Sequence, residues 1–381
     1  KNQMLRIRAI TALGRIGSEA HMAVPALVEA FGDLYTRTPA KITLGQIGSA
    51  AVPALISAVQ NADPNIRSAA AYSLSKIGPT AEAAVPVLIS RLRDSDPQVR
   101  RQVVVALGNM GPSDTEKIIP ALFEVVRNKK YRLETTVAQS LANLGAPAVE
   151  SLTQALQNNN PNIRKVAVQA LGRMDRDTSL VSAPALIEAV QHVNPSEASL
   201  IAIVLSRMGT SLVPTLINAL EHRDPKVRIT AAMALNHMGG RALNAAPALI
   251  QRLSDKNLEA RGWAASALGK FGPRAADAVP ELINMLKEDT VGNRRLAVVA
   301  LGKIRSAARQ AIPSLIEAFQ DEDRTTRNLA VVALSKMGGD ATDALNKAAS
   351  HKDPSVRKLA KKALEDIRLR ASSLNANQAN K

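Results

Sequence analysis

Apolar positions fall at helical spacing in pairs of short runs, separated by polar turns. In residues 52–78, Ala54, Leu55, Ile56 and Val59 mark one helix face, and Ile66, Ala70, Leu74 and Ile77 mark a second. Pro53 opens the first helix, where a missing N–H costs nothing and φ is already set. Asn61-Ala62-Asp63-Pro64 forms the turn, with Asp63 as N-cap and Pro64 as the first residue of the second helix. Gly78 ends that helix in a place that favours positive φ. Residues 86–111, 214–239 and 280–302 repeat the pattern, and no segment has the period-two alternation of a strand. The proline recurs at Pro25, Pro53, Pro86, Pro120, Pro184, Pro214, Pro247, Pro280 and Pro313. One helix pair cannot bury its own apolar face, whereas stacked pairs share a continuous core. The predicted fold is therefore all-α: an α-solenoid of about eleven helix pairs, coiled into a curved superhelix.

Asp96-Pro97-Gln98-Val99-Arg100, followed by Ala106-Leu107-Gly108-Asn109-Met110-Gly111, carries the repeat's most distinctive string, and Asp224-Pro225-Lys226-Val227-Arg228 restates its start. This pattern resembles the HEAT-repeat family, and within it the HEAT-like repeats of phycobilisome lyases. The resemblance covers residues 4–370, read as one solenoid domain over 1–370 with an incomplete N-terminal repeat. Residues 4–17 read as a second helix lacking its first, which predicts further chain upstream. Residues 371–381 are polar and aperiodic, which predicts a disordered tail.

Composition narrows the chemistry. Aromatics make up only 2% of 381 residues against 46% hydrophobic, so the core rests on Ala, Leu, Val and Ile. With no cysteine, disulfides, thiolate metal sites and thiol nucleophiles are excluded. No apolar run reaches the roughly 18 residues of a membrane span, and no secretory segment is visible, so a cytoplasmic location is expected. A net charge of +16 predicts an acidic partner. The five histidines show no HxxxH or HExxH spacing, and His-Glu dipeptides, Walker, GxGxxG and GxSxG motifs are absent. No metal or cofactor is expected.

Arginine recurs at the start of the second helices: Arg6, Arg37, Arg67, Arg100, Arg164, Arg228, Arg261, Arg294, Arg327 and Arg357. A residue fixed to the repeat period serves the repeat interface. The family resemblance implies that this arginine bonds the turn aspartate of a neighbouring repeat, for which Asp63, Asp96, Asp224, Asp323 and Asp353 stand available. Glu134 and Ala198 interrupt the ladder and Glu150 replaces a repeat proline, which predicts an irregular stretch over 128–200.

Nine residues beyond the ladder position lies a row that includes Arg15, Lys76, Arg173, Arg207, Lys270, Lys303 and Lys336. Five beyond it lies a row that includes Ile42, Tyr72, Val105, Ile203, Met233, Val299 and Val332. The 100° step turns both rows away from the inter-helix core. The basic row also reads as a solvated face favoured by the helix dipole, and the apolar row as burial between neighbouring second helices. Together they describe a basic, partly apolar concave groove for an acidic or amphipathic protein segment. Trp263 sits at the edge of this face, with partial burial between repeats as its other reading.

The expected function is a non-enzymatic binding scaffold with a protein partner. A bilin lyase-like chromophore-handling protein is the alternative, resting on the repeat subtype with Tyr72 and Trp263. Nucleic-acid binding through the basic row is a third reading, opposed by the few aromatics available for stacking.

Overall fold

The structure, a computed structural model, describes residues 2–127 and 130–379. Helices account for the regular structure, and no strand occurs among the described residues. The chain divides into two compact units, Lys1–Ala189 and Val190–Lys381. The boundary falls inside the stretch where the sequence pattern is irregular.

In the first unit, the Gln3–Ile16 helix precedes five pairs, from Val24–Glu29 with Arg37–Ile47 to Val149–Ala155 with Pro161–Leu171, and Arg176–Ala189 closes it. In the second unit, Pro195–Arg207 precedes five pairs, from Val213–Ala219 with Pro225–Met238 to Thr342–Ala348 with Pro354–Ala379. Within each unit consecutive second helices pack on one another, forming one layer, and the short first helices form the other. The last helix continues through Ala379, into the segment expected to be a tail. That segment contains no Gly or Pro to stop it. Residues 380–381 lie outside the described residues.

The ladder frame predicts the core. Three positions beyond the ladder, Ala40, Ala70, Val103, Val137, Ala167, Ile201, Ala231, Ala264, Ala297 and Ala330 are all buried. Seven beyond, so are Leu44, Leu74, Leu107, Leu141, Leu171, Leu205, Leu235, Leu268, Leu301 and Leu334. Small residues let the helices approach closely: a Cβ added at Gly269 would lie 3.0 Å from Ala300 Cα, and one at Gly302 would lie 2.9 Å from Ala333 Cα. Any larger residue there would push successive second helices apart.

Aspartate N-caps appear where the turns predict them. Asp63 accepts the Asn65 N–H, Asp96 those of Gln98 and Val99, and Asp224 that of Lys226. Between the closing glycine and the next first helix, the chain makes a 3-10 segment such as Gly78–Ala84 or Gly272–Ala278. Arg305 occupies the glycine place with φ 59 and ψ −136. A side chain in that region carries a strain of about 1–3 kcal/mol.

Candidate functional site

The arginine ladder forms in part, with a different acceptor from the one expected: Arg6, Arg67, Arg228, Arg261 and Arg294 meet a carboxylate, whereas Arg37 donates to the Asn65 amide oxygen and Arg100, Arg327 and Arg357 donate to carbonyls of their own turns. Arg67 Nε donates to Asp94 Oδ2 at 2.8 Å and its Nη2 to Oδ1 at 2.7 Å. Arg228 pairs in the same two-pronged way with Asp255 (2.7 and 2.8 Å), Arg261 with Asp289 (2.6 and 2.8 Å) and Arg294 with Asp321 (2.8 and 3.0 Å). Arg6 reaches Asp33 at 3.0 Å. The acceptor lies one to three residues before the N-cap, and where the N-cap is itself an aspartate, as at Asp96 and Asp323, that carboxylate is turned onto its own helix. Of the expected acceptors, Asp63, Asp96 and Asp224 cap their own helices. Asp353 accepts the Ser355 N–H, and Asp323 caps Thr326 while pairing with Arg295 rather than with a ladder arginine.

Four ladder acceptors also accept the N–H of their N-cap residue, Asp94 from Asp96, Asp255 from Asn257, Asp321 from Asp323 and Asp289 from Thr290, and Asp33 accepts that of Tyr35. The arginines meanwhile donate to carbonyls of their own turn, as Arg67 does to Asn61 and Ala62. Burial pushes the Asp94, Asp255 and Asp289 carboxyls up, but the arginine hydrogen bonds, backbone N–H donors and arginine charge outweigh it and hold all three below the ordinary range. This network binds repeat to repeat and leaves those arginines unavailable to a partner.

The basic row is disposed differently. Arg15, Lys76, Arg173, Arg207, Lys270 and Lys336 are exposed and Lys303 is half-buried. Each of Lys270, Lys303 and Lys336 lies in the last turn of its helix, where the C-terminal dipole favours a cation. No carboxylate pairs with any of these three among the described residues. Burial, then the charges of Lys270 and Lys336, hold the Lys303 ammonium below its ordinary value. The three lysines therefore face one another as an uncompensated row.

The apolar row is mixed. Ile42 and Val332 are exposed, at 43% and 39%, and Tyr72, Val105, Ile203 and Val299 are half-buried. Met233 is buried at 6% and leaves the row, because its helix is flanked by the packed Pro195–Arg207 and Leu258–Phe271 helices and its long side chain is taken into that packing. Trp263 is half-buried and lines a cavity of about 370 Å³ with Glu259, Gly262, Ser266, Gly292, Asn293 and Leu296. In the first unit, Tyr72 lies beneath Lys41 (4.4 Å) and Lys76 (5.5 Å), beside a cavity of about 210 Å³ that also takes in Arg37 and Gln102.

Two contributors went unread in the sequence. Gly269 makes room for the basic row: a Cβ there would lie 3.5 Å from the Lys303 stem. Its signal was the Leu-Gly dipeptide, read only as a family mark. The histidines serve turns, His222 and His351 Nδ1 accepting the N–H groups of Asp224 and Asp353 at 3.0 and 3.1 Å. No group of three or more His, Asp or Glu that could hold a metal occurs among the described residues, nor does any single helix long and apolar enough to cross a membrane.

Solved structures provide a comparison for the fold. The chain is similar to Kap121p at 13% identity, with a TM-score of 0.55, covering 94% of this chain and 47% of that one. Kap121p bound to Pho4p gives 14% and 0.56, covering 98% and 49%. The karyopherin Kap121p bound to the SUMO protease Ulp1p gives 14% and 0.55, covering 95% and 47%. This chain thus spans about half the length of those proteins. No curated protein matches it. The PBS lyase HEAT-like repeat matches residues 5–33, and HEAT repeats match residues 32–94, 85–172, 119–197, 183–246, 213–301 and 246–335. With its repeated helix pairs, arginine ladder and family matches running across most of its length, the chain belongs to the HEAT-repeat family.

Proposed function

We propose that this protein is a non-catalytic scaffold that holds an acidic, partly apolar protein segment against the solvent face of its second helices. One observation carries the reading: Lys270, Lys303 and Lys336 stand in consecutive repeats with no carboxylate partner among the described residues, on helices of which the first two also line the Trp263 cavity and the second carries the half-buried Val299. Like charges held together are costly unless an anion from elsewhere meets them. Apolar surface beside them gives a partner something to bury. Kap121p, similar in fold, is known in complexes with Pho4p and Ulp1p, which is consistent with a protein partner here.

A displayed library of short peptides, screened against the protein and against its Lys270→Glu/Lys303→Glu/Lys336→Glu variant, tests this. Binders rich in Asp and Glu that the variant loses support the scaffold. Binders with no acidic enrichment, or acidic binders retained by the variant, contradict it. The bilin reading draws on a repeat type matched only over residues 5–33, away from Tyr72 and Trp263.

A further inference from the structure

The lysine row has a spacing, and a spacing selects a conformation. Lys270, Lys303 and Lys336 occupy the same place on the successive Leu258–Phe271, Val291–Ile304 and Arg324–Met337 helices. Packed helices lie about 8–10 Å apart, axis to axis. Gly269 against Ala300 and Gly302 against Ala333 let these helices pack closely. A chain running across the helices must then offer a negative charge on one side about every 8–10 Å. A β-strand returns to the same side every two residues, about 6.6 Å. An α-helix returns after one turn of about 5.4 Å or two of about 10.8 Å. A polyproline-II helix returns every three residues, about 9.3 Å, and matches the helix spacing most nearly.

We propose that the Lys270, Lys303 and Lys336 row takes a protein segment in polyproline-II conformation with an acidic residue at every third position, three in register. This rests on the scaffold reading above and names the partner's conformation and periodicity. The register has an end. On the next helix Asp366 takes the place of the lysine, its Oδ2 lying 3.5 Å from Ser335 Oγ, and a carboxylate there repels a fourth acid. One turn before each lysine lie Ser266, Val299 and Val332, a lane about 6 Å away along the helices that meets the neighbouring edge of the same segment. A phosphodiester chain fits less well. Across these three helices Trp263 is the one aromatic not buried in the core, whereas single-stranded nucleic acid needs a series of stacking platforms.

The test uses the whole chain and three fluorescein-labelled peptides of identical Glu, Pro and Ser composition, read by anisotropy. Their glutamates stand at i, i+3 and i+6; at i, i+2 and i+4; or at i, i+4 and i+7. The first binds about tenfold more tightly than the others, and Lys303→Gln removes most of that advantage. Equal affinity for all three peptides, lost in the triple lysine-to-glutamine variant, overturns the periodicity while leaving the basic face as an acidic-segment site. Tightest binding of the i, i+4, i+7 peptide assigns a helix instead and overturns the proposal. Binding of none of the three overturns the scaffold reading along with it. Displacement of the first peptide by oligothymidylate at lower concentration than by the unlabelled peptide itself reassigns the face to nucleic acid.

Discussion

Two rows of cations run along the same helices with the same period and opposite consequences. Arg261 and Arg294 stand at the start of their helices, each gripped by a carboxylate from the following repeat, Asp289 and Asp321. Lys270 and Lys303 stand at the far ends of those helices, with no carboxylate from this chain paired to them among the described residues. The ladder side chains are largely buried, 20% and 14% exposed for Arg261 and Arg294. Periodic positive charge alone therefore does not mark a binding surface. What separates structure from site is whether the chain itself supplies the anion.

Acid separates the two rows most strongly. The Asp94, Asp255 and Asp289 carboxyls are held below their ordinary 3.8. Their stabilisation is complete above about pH 5 and is lost as pH falls through the lowered folded-state values. Circular dichroism against pH should show cooperative loss of helix below about pH 4; a helical signal unchanged to pH 2 would detach stability from the ladder.

A single ladder carboxylate comes next. Asp255 is 2% exposed and its partner Arg228 12%, so Asp255→Ala leaves a largely buried guanidinium unpaired and should cost about 3 kcal/mol, read as a lowered urea midpoint. A loss under about 0.5 kcal/mol would place Asp255 with surface pairs.

Hydrogen exchange sharpens the contrast inside the chain. At Glu134 the ladder arginine is missing, and Asn158 replaces the acceptor aspartate, keeping only its bond to the Asn160 N–H. Amides of 134–171 should exchange about tenfold faster than those of 225–304; equal rates would show the ladder adding nothing to local stability. The smallest effect concerns Arg305, a cation of neither row. Arg305→Gly should raise stability by about 1 kcal/mol through relief of its positive φ, and a decrease would reveal a contact made by its side chain.

Much of this was legible in the sequence. Proline, N-cap aspartate and closing glycine punctuate each repeat locally, so the helix pairs and their buried Leu and Ala positions follow from spacing. The acceptor of the ladder arginine does not. Asp94-Ser95-Asp96-Pro97 holds two carboxylates two residues apart, and capping rules identify the inner one without saying that the outer reaches Arg67. Met233 fails for a related reason: a 100° step gives a residue's direction from its own helix, but its burial depends on neighbours on both sides. The basic row was legible as charge. Its lack of counter-ions was not, since that depends on which acids fold near it.

The central claim is that the lysine row is held for a partner and the arginine row for the fold. It is tested most directly in one variant, Lys270→Gln/Lys303→Gln/Lys336→Gln, measured for thermal midpoint and for anisotropy of the i, i+3, i+6 acidic peptide. The account predicts a midpoint unchanged or slightly raised, because mutual repulsion at Lys303 is relieved, together with at least a tenfold loss of affinity, about 1.4 kcal/mol. A midpoint lowered as far as by Asp255→Ala, with peptide affinity retained, would contradict it and make the lysines part of the fold.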